Sequence, residues 1–267
     1  MKILDCASLS IQNGRTSNDD RALSMVLNHT GEYTDTSALF AVFDGMGGNN
    51  RFDPEAGRFS SRFAEQSICR ELLHFLAEAA YRPPHSEEAV HTALSAALLR
   101  ADQSLYQQDT VYGTTASIGM VLGDTLFCTN AGDSPICLLH HRPEDGKTEV
   151  IRLYEQQNYA GFGMPDGWPD TEEFARQKQV GSSYILRQFV GGNNVEHCPA
   201  FTQKLSPGDI LLLGSDGALA RFTREELCTA ANSALDMQNL IFTLRQKAIS
   251  EKEEQDNLTL IAVQFGA

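Results

Sequence analysis

The chain has 267 residues, 42% hydrophobic and 21% charged, enough for a sizeable core in one large domain or two small ones. Asp and Glu outnumber Lys and Arg by 35 to 21, giving a net charge of −14 and an isoelectric point near 4.9. That balance excludes broad binding to nucleic acid or to anionic lipid, both of which need a basic surface, though phosphate can still be bound where cations intervene.

The opening "MKILDCASLS" reads as a strand without the apolar core of a signal peptide. Further strand-like runs are predicted at 22–28 and 38–43, the latter reading "ALFAVF". Two helical patterns follow. One runs from about Glu55 to Tyr81, with Phe59, Phe63, Ile68, Leu72 and Leu76 in an apolar stripe, and stops at Pro83 and Pro84. The other starts at Ser86-Glu87-Glu88 and runs to about Gln107. Strands then dominate, with Gly123-Asp124 as a hairpin signal between 117–122 and 125–130. Residues 155–183 are polar, Gly-rich and aperiodic, as in a flap or functional loop. "DILLLGSDGAL" is another apolar strand ending in an acid, and Thr223 with Glu226 matches a capping box. A helix over 237–249 and a strand over 258–265 complete the chain. Strands in meanders, not alternating with helices, predict an α+β layer fold with antiparallel sheets.

No stretch approaches the roughly 20 apolar residues of a membrane span. The six cysteines form no C-x-x-C pair and read as small core residues in a reduced, cytoplasmic protein. None of the seven histidines lies in an acidic segment or at metal-ligand spacing.

Acids recur at the ends of the predicted strands: Asp19 and Asp20 before 22–28, Asp44 after 38–43, Asp133 between two strands, Asp216 after "LLLGS" and Asp256 before the last strand. Each alone reads as readily as a turn. If Asp19, Asp44, Asp216 and Asp256 converge, their repulsion raises their pKa values and divalent cations relieve it. An all-oxygen shell suits Mg²⁺ or Mn²⁺, not Zn²⁺. The glycines after Asp44 let backbone approach something small or turn with φ > 0.

"RTSNDD" at 15–20, "VFDGMGG" at 42–48, "GTTAS" at 113–117, "NAGDSP" at 130–135, "LLLGSDGAL" at 211–219 and "DNLTLIAV" at 256–263 come in the order of a known family. Together they resemble the metal-dependent protein phosphatases of type 2C, Mg²⁺/Mn²⁺-dependent serine/threonine phosphatases, and "DGMGG" resembles the bacterial branch. The resemblance implies one domain over 1–267, a four-layer α-β-β-α sandwich of two packed antiparallel sheets flanked by helices, with a flap at about 155–183. It implies two Mg²⁺ or Mn²⁺ ions held by Asp44, the Gly45 carbonyl, Asp216, Asp256 and Asp19, with Asp20 and Asn257 behind them. Arg15 matches the phosphate-binding arginine, and Thr114 and Thr115 are expected to serve packing in a sheet. The implied reaction is attack of a metal-activated water on phosphoserine or phosphothreonine, with phosphoproteins as substrates, a cognate Ser/Thr kinase as partner and a monomeric enzyme.

Departures stand beside these matches. Met46 replaces a histidine proposed as general acid in some members, Pro135 an arginine, and Ala220 an aspartate that helps hold a third metal. A third site is therefore not expected, or rests on Asp133 and water. The departures leave a catalytically weak phosphoprotein-binding module as the alternative. A nucleotide-binding loop at "DGMGGNN" lacks G-K-[ST] and G-x-G-x-x-G.

Overall fold

A computed structural model describes residues 1–27, 36–46, 53, 55–79, 86–108, 113–142, 146–158, 185–250 and 256–267. The described chain forms β1 (Lys2–Ile11), β2 (Arg21–Leu27), β3 (Ser37–Phe43), β4 (Gly45–Met46), α1 (Ala56–Ala79), α2 (Glu87–Tyr106), β5 (Gly113–Thr114), β6 (Ala116–Leu122), β7 (Thr125–Ala131), β8 (Ile136–Arg142) and β9 (Lys147–Arg152). It continues through β10 (Phe201–Lys204), β11 (Ile210–Gly214), α3 (Asp216–Leu219), α4 (Arg224–Ser233), α5 (Met237–Ser250) and β12 (Leu258–Gly266).

Two five-stranded sheets, β1-β12-β11-β8-β9 and β10-β7-β6-β3-β2, are antiparallel throughout, and β4 pairs with β5 in a small third sheet. Alternate residues of β3 explain why "ALFAVF" is apolar without interruption. Ala38, Phe40 and Val42 meet Leu211, Leu213, Ile261, Val263 and Phe265 of the other sheet. Leu39, Ala41 and Phe43 pack on the opposite face against Ile68, Leu72 and Leu76 of α1 and Leu94 and Leu98 of α2. A strand covered on both faces needs apolar residues at every position. On the far side, Leu212, Leu260 and Ala262 pack under Leu227, Met237, Leu240, Ile241 and Leu244. The result is the expected α+β sandwich of four layers.

Three edge strands depart from the sequence reading for one physical reason. β1 runs on to Ile11 because Ser8 and Ser10 alternate with half-buried Leu9 and Ile11 on a solvated edge. β9, "KTEVIR", and β10, "FTQK", were not anticipated; an edge faces water and admits polar residues that blur the apolar pattern. The α4 capping box forms as read: the Thr223 hydroxyl accepts from the Glu226 N–H, and the Glu226 carboxylate accepts from the Thr223 N–H at 2.9 Å. The end of the sandwich that carries the β6–β7 turn also carries Gly146 and Gly208, and all three turns use a glycine at positive φ, Gly123 at 64°. A Cβ at Gly146 would meet nothing within 4 Å.

Phe40 is fully buried between the sheets, whereas Phe242 on α5 is 52% exposed. Phe40→Ala is expected to lower stability in urea unfolding by about 3–5 kcal/mol, and Phe242→Ala by less than about 0.5 kcal/mol.

Candidate active site

Strand register gathers the acids. Arg21 of β2 pairs with Phe43 of β3, so Asp20 and Asp44 sit at one end of the same strand pair. Ala116 pairs with Ala131, Ile136 with Leu213 and Gly214 with Leu260. Asp133, Asp216 and Asp256 therefore leave or enter their strands at that same end. β1 pairs Ile11 with Leu258, which brings the following loop and Arg15 there too.

Backbone and side-chain bonds then fix each acid. The Asp44 N–H donates to Thr115 Oγ1 at 3.0 Å, and the Asp44 carbonyl accepts from the Thr115 N–H and the Thr114 hydroxyl, both at 2.9 Å. Thr115 Oγ1 lies 2.7 Å from Ser134 Oγ, tying the Asp44 turn to the Asp133 turn. The two threonines are buried, with Thr114 in β5, and they also clamp Asp44, a role the sequence reading missed. Asp133 Oδ2 accepts from Asn158 Nδ2 at 2.7 Å. Asp216 opens α3, and its Oδ1 accepts from the Gly217 N–H at 2.5 Å. Asp256 Oδ1 accepts from the Asn257 N–H at 2.8 Å, and its Oδ2 accepts from Arg15 Nη2 at 2.6 Å. Asn257 laces the Arg15 loop to this strand: its amide donates to the Gln12 and Ser17 carbonyls at 2.9 and 2.8 Å, and its Oδ1 accepts from the Asp19 N–H at 2.9 Å.

These acids act on one another's protonation. Burial, then Asp20, Asp216, Asp256 and Asp133 in turn, hold the Asp44 carboxyl well above the usual range. Burial and the charges of Asp216 and Asp256 push Asp20 up to about 7, although the neighbouring Thr259 and Ser215 hydroxyls pull it back part of the way. Burial and Asp216 raise Asp133 to about 7 as well, against the Asn158 hydrogen bond. The Arg15 guanidinium faces this group, its proton held by the bond to Asp256 and by the charges of Asp256, Asp44 and Asp216. Among the described residues, no three His, Cys, Asp or Glu side chains stand in a ready-made metal-ligand arrangement. The cluster is one of carboxylates within reach of each other's charge.

Asp20, given an outer role from the sequence, shares charge with Asp44, Asp216 and Asp256, and its buried Oδ2 has no hydrogen-bond partner. Asp19 lies beside Gly45 and Gly57: its Oδ1 accepts from Ser17 at 2.8 Å, and its Oδ2 faces Gly57. A Cβ on Gly57 would lie 2.7 Å from Asp19 Oδ2 and 2.8 Å from the Gly45 carbonyl oxygen. A Cβ on Gly45 would lie 2.5 Å from the Asp19 carbonyl, and one on Gly217 would lie 2.6 Å from the Asn257 carbonyl. None of these three glycines has a positive φ, so close backbone approach, not turn geometry, requires them. Gly47 and Gly48 lie outside the described residues.

Sequence reading missed Gly57, Ser134, Gln157 and Asn158. Gly57 was hidden inside a helical pattern. Gln157 and Asn158 stand in the polar stretch before 159–184, which lies outside the described residues, as does most of the expected flap. The flap's flanks are visible. Asn158 bridges to Leu186, the Arg187 N–H donates to the Gln157 carbonyl, and the Gln157 side chain accepts from the Gly132 N–H at 2.9 Å. Ala220 brings no oxygen side chain, and Asp133 Oδ2 takes the Asn158 amide as a partner. Met46 places its methyl over Gly113 beside the Phe189 ring.

Without bound cations, the raised acids set the pH dependence of stability. Folded Asp20 and Asp133 hold protons up to about pH 7, while the unfolded chain releases them near 3.8. Between those values the folded state binds more protons, so stability falls as pH rises. Chelator-treated protein is expected to lose stability in urea from pH 4 to 7, and Asp20→Asn to flatten that slope.

The sequence matches the family model described as Protein phosphatase 2C over residues 4–149, more than half of the chain. A rice protein (Oryza sativa subsp. japonica) named probable protein phosphatase 2C 59 is 26% identical over 248 residues, covering 86% of this chain and 67% of that protein. Among solved structures, the S. agalactiae serine/threonine phosphatase superposes with a TM-score of 0.72 at 21% identity, covering 97% of this chain and 98% of that one. The catalytic domain of serine/threonine protein phosphatase PstP, in complex with two manganese ions, gives a TM-score of 0.67 at 18% identity, covering 99% of both chains. The structural likenesses speak for the fold, and the sequence match for descent. With its acids joined at one end of this sandwich, the chain belongs to the protein phosphatase 2C family of protein serine/threonine phosphatases.

Proposed function

We propose that this chain hydrolyses phosphoserine and phosphothreonine in proteins with two Mg²⁺ or Mn²⁺ ions held at the acid cluster. The observation that carries the reading is the meeting of Asp20, Asp44, Asp133, Asp216 and Asp256 at one sandwich end, opposite Arg15. The residues fit such ions. The donors are carboxylate and carbonyl oxygens, the chemistry that Mg²⁺ and Mn²⁺ favour. A buried Asp20 oxygen lacks a partner, and the missing Gly57 side chain leaves a space flanked by Asp19 Oδ2 and the Gly45 carbonyl.

In this reading Asp44, Asp216 and Asp256 are the direct acidic donors, joined by Asp19 and the Gly45 carbonyl. Asp20 lends charge behind them, and Asn257 orients the loop that carries Asp19 and Arg15. Bound there, the ions would acidify a water and neutralise phosphoryl oxygens. Arg15 offers a planar fork to two phosphate oxygens once a substrate competes with Asp256 for it. Thr114 and Thr115 hold the Asp44 turn in place, so its carboxylate need not reorganise as charge develops.

The substrates are phosphoproteins, supplied by an opposing Ser/Thr kinase. The matched structures cover nearly the whole chain, which supports a single catalytic domain. In this reading the enzyme is a monomer and 155–183 is its flap. All six cysteines are free, in keeping with a reducing cytoplasm. Among the described residues no helix is long and apolar enough to cross a membrane.

Phosphate release from a phosphothreonine peptide, with Mn²⁺, with Mg²⁺ and with EDTA, tests the reading. Activity is expected with either metal and not with EDTA. Asp44→Asn and Asp216→Asn should each lower kcat at least about 100-fold, and Arg15→Lys should lower kcat/KM about ten-fold. Folded, metal-loaded wild-type protein that releases no phosphate would sink the proposal. Gly57→Ala should weaken Mn²⁺ binding about ten-fold by calorimetry, because its methyl displaces Asp19, while the helix itself gains from alanine.

A further inference from the structure

A carboxylate outside the cluster holds the segment that braces it. Asp102, on α2, is buried at 3% exposure. Its Oδ1 accepts from the Gly191 N–H at 2.8 Å and the Asn193 N–H at 2.9 Å, and its Oδ2 accepts from the Val195 N–H at 3.3 Å. Gly191 at φ 102° and Asn193 at φ 49° wind the loop so that these donors face one anion. A buried carboxylate is tolerated because each of its oxygens meets a backbone donor.

The loop then reaches the site. Val190, one residue before it, exchanges two backbone hydrogen bonds with Thr114, at 3.0 and 2.9 Å. On its other side Thr114 pairs with Gly45 in the β4–β5 ladder, and its hydroxyl donates to the Asp44 carbonyl. The link from Asp102 to Asp44 thus runs along the backbone hydrogen bonds of 190–195, Thr114 and Gly45. The same loop carries Phe189, whose N–H donates to Asn194 Oδ1 at 3.2 Å and whose ring lies beside the Met46 methyl over Gly113.

We propose that Asp102 is a positioning residue for the Asp44 turn. It anchors 191–195, Val190 then steadies Thr114, and Thr114 sets the place of Asp44. The inference rests on the reading of Asp44 as a cation donor. Asp102→Ala strands three N–H groups. Asp102→Asn keeps Oδ1 for Gly191 and Asn193 but turns an NH₂ toward Val195.

Amide hydrogen exchange in EDTA and calorimetric Mn²⁺ titration, on wild type and both variants, test it. In Asp102→Ala the Val190, Thr114 and Thr115 amides should exchange about ten-fold faster while Ile118 and Leu213 keep wild-type rates, and Mn²⁺ should bind about ten-fold more weakly. Asp102→Asn should fall between, and it decides by the same two readouts if the alanine variant does not fold. Unchanged exchange at Thr114 and Thr115, or a rise shared equally by Ile118 and Leu213, would overturn the proposal. A wild-type chain that binds no Mn²⁺ would overturn the metal reading instead, and exchange alone would then judge the relay.

Discussion

Repulsion among Asp20, Asp44, Asp133, Asp216 and Asp256 is the constraint on which the catalytic end of this protein depends. Five carboxylates this close are costly without compensating charge, and Arg15 is one cation facing many anions. The fold bears that cost through rigidity. Two sheets with continuous apolar strands lock the register, and the register decides where the acids emerge. Slipping any of these strands by one residue would turn its buried side chains the wrong way and move its acid off the end.

Rigidity continues past the strand ends. Three of the acids are held by bonds, mostly to partners distant in sequence: Asp44 by Thr114 and Thr115, Asp133 by Asn158, and Asp256 by Asn257 and Arg15. Glycines do complementary work by removing side chains where backbones pass closely. The Gly57 helix start, the Gly45 turn and the Gly217 helix start each leave room for a neighbour's oxygen. Donors placed before a ligand arrives spare the reorganisation that a flexible acidic loop would need.

Much of this was legible in the sequence because double-sided burial writes itself plainly. "ALFAVF" and "ILLL" admit no polar residue, and an acid after such a run marks where chain meets water. The capping box at Thr223 and the stripe on α1 were equally direct. Legibility failed where one face of a strand meets solvent, as in β9 and β10, and where a role depends on a partner distant in sequence. Thr114 and Thr115 look like sheet residues until Asp44, about 70 positions away, is seen to bond to them. Gly57 looks like an ordinary helix residue until Asp19 and Gly45 close around it. Asp19 and Asp20 are adjacent letters whose carboxylates go separate ways, a distinction set by strand register and not by composition.

The glycine turns at Gly123, Gly146 and Gly208 lie at the pole of the sandwich opposite the acids. That polarity gives the molecule a handle and a working face. A dye, an affinity tag or a tether to a bead placed at Gly146, where a Cβ would meet nothing within 4 Å, would leave the acidic pole pointing away from the attachment. Immobilised in that orientation, the protein would meet bulky macromolecules as freely as small ones.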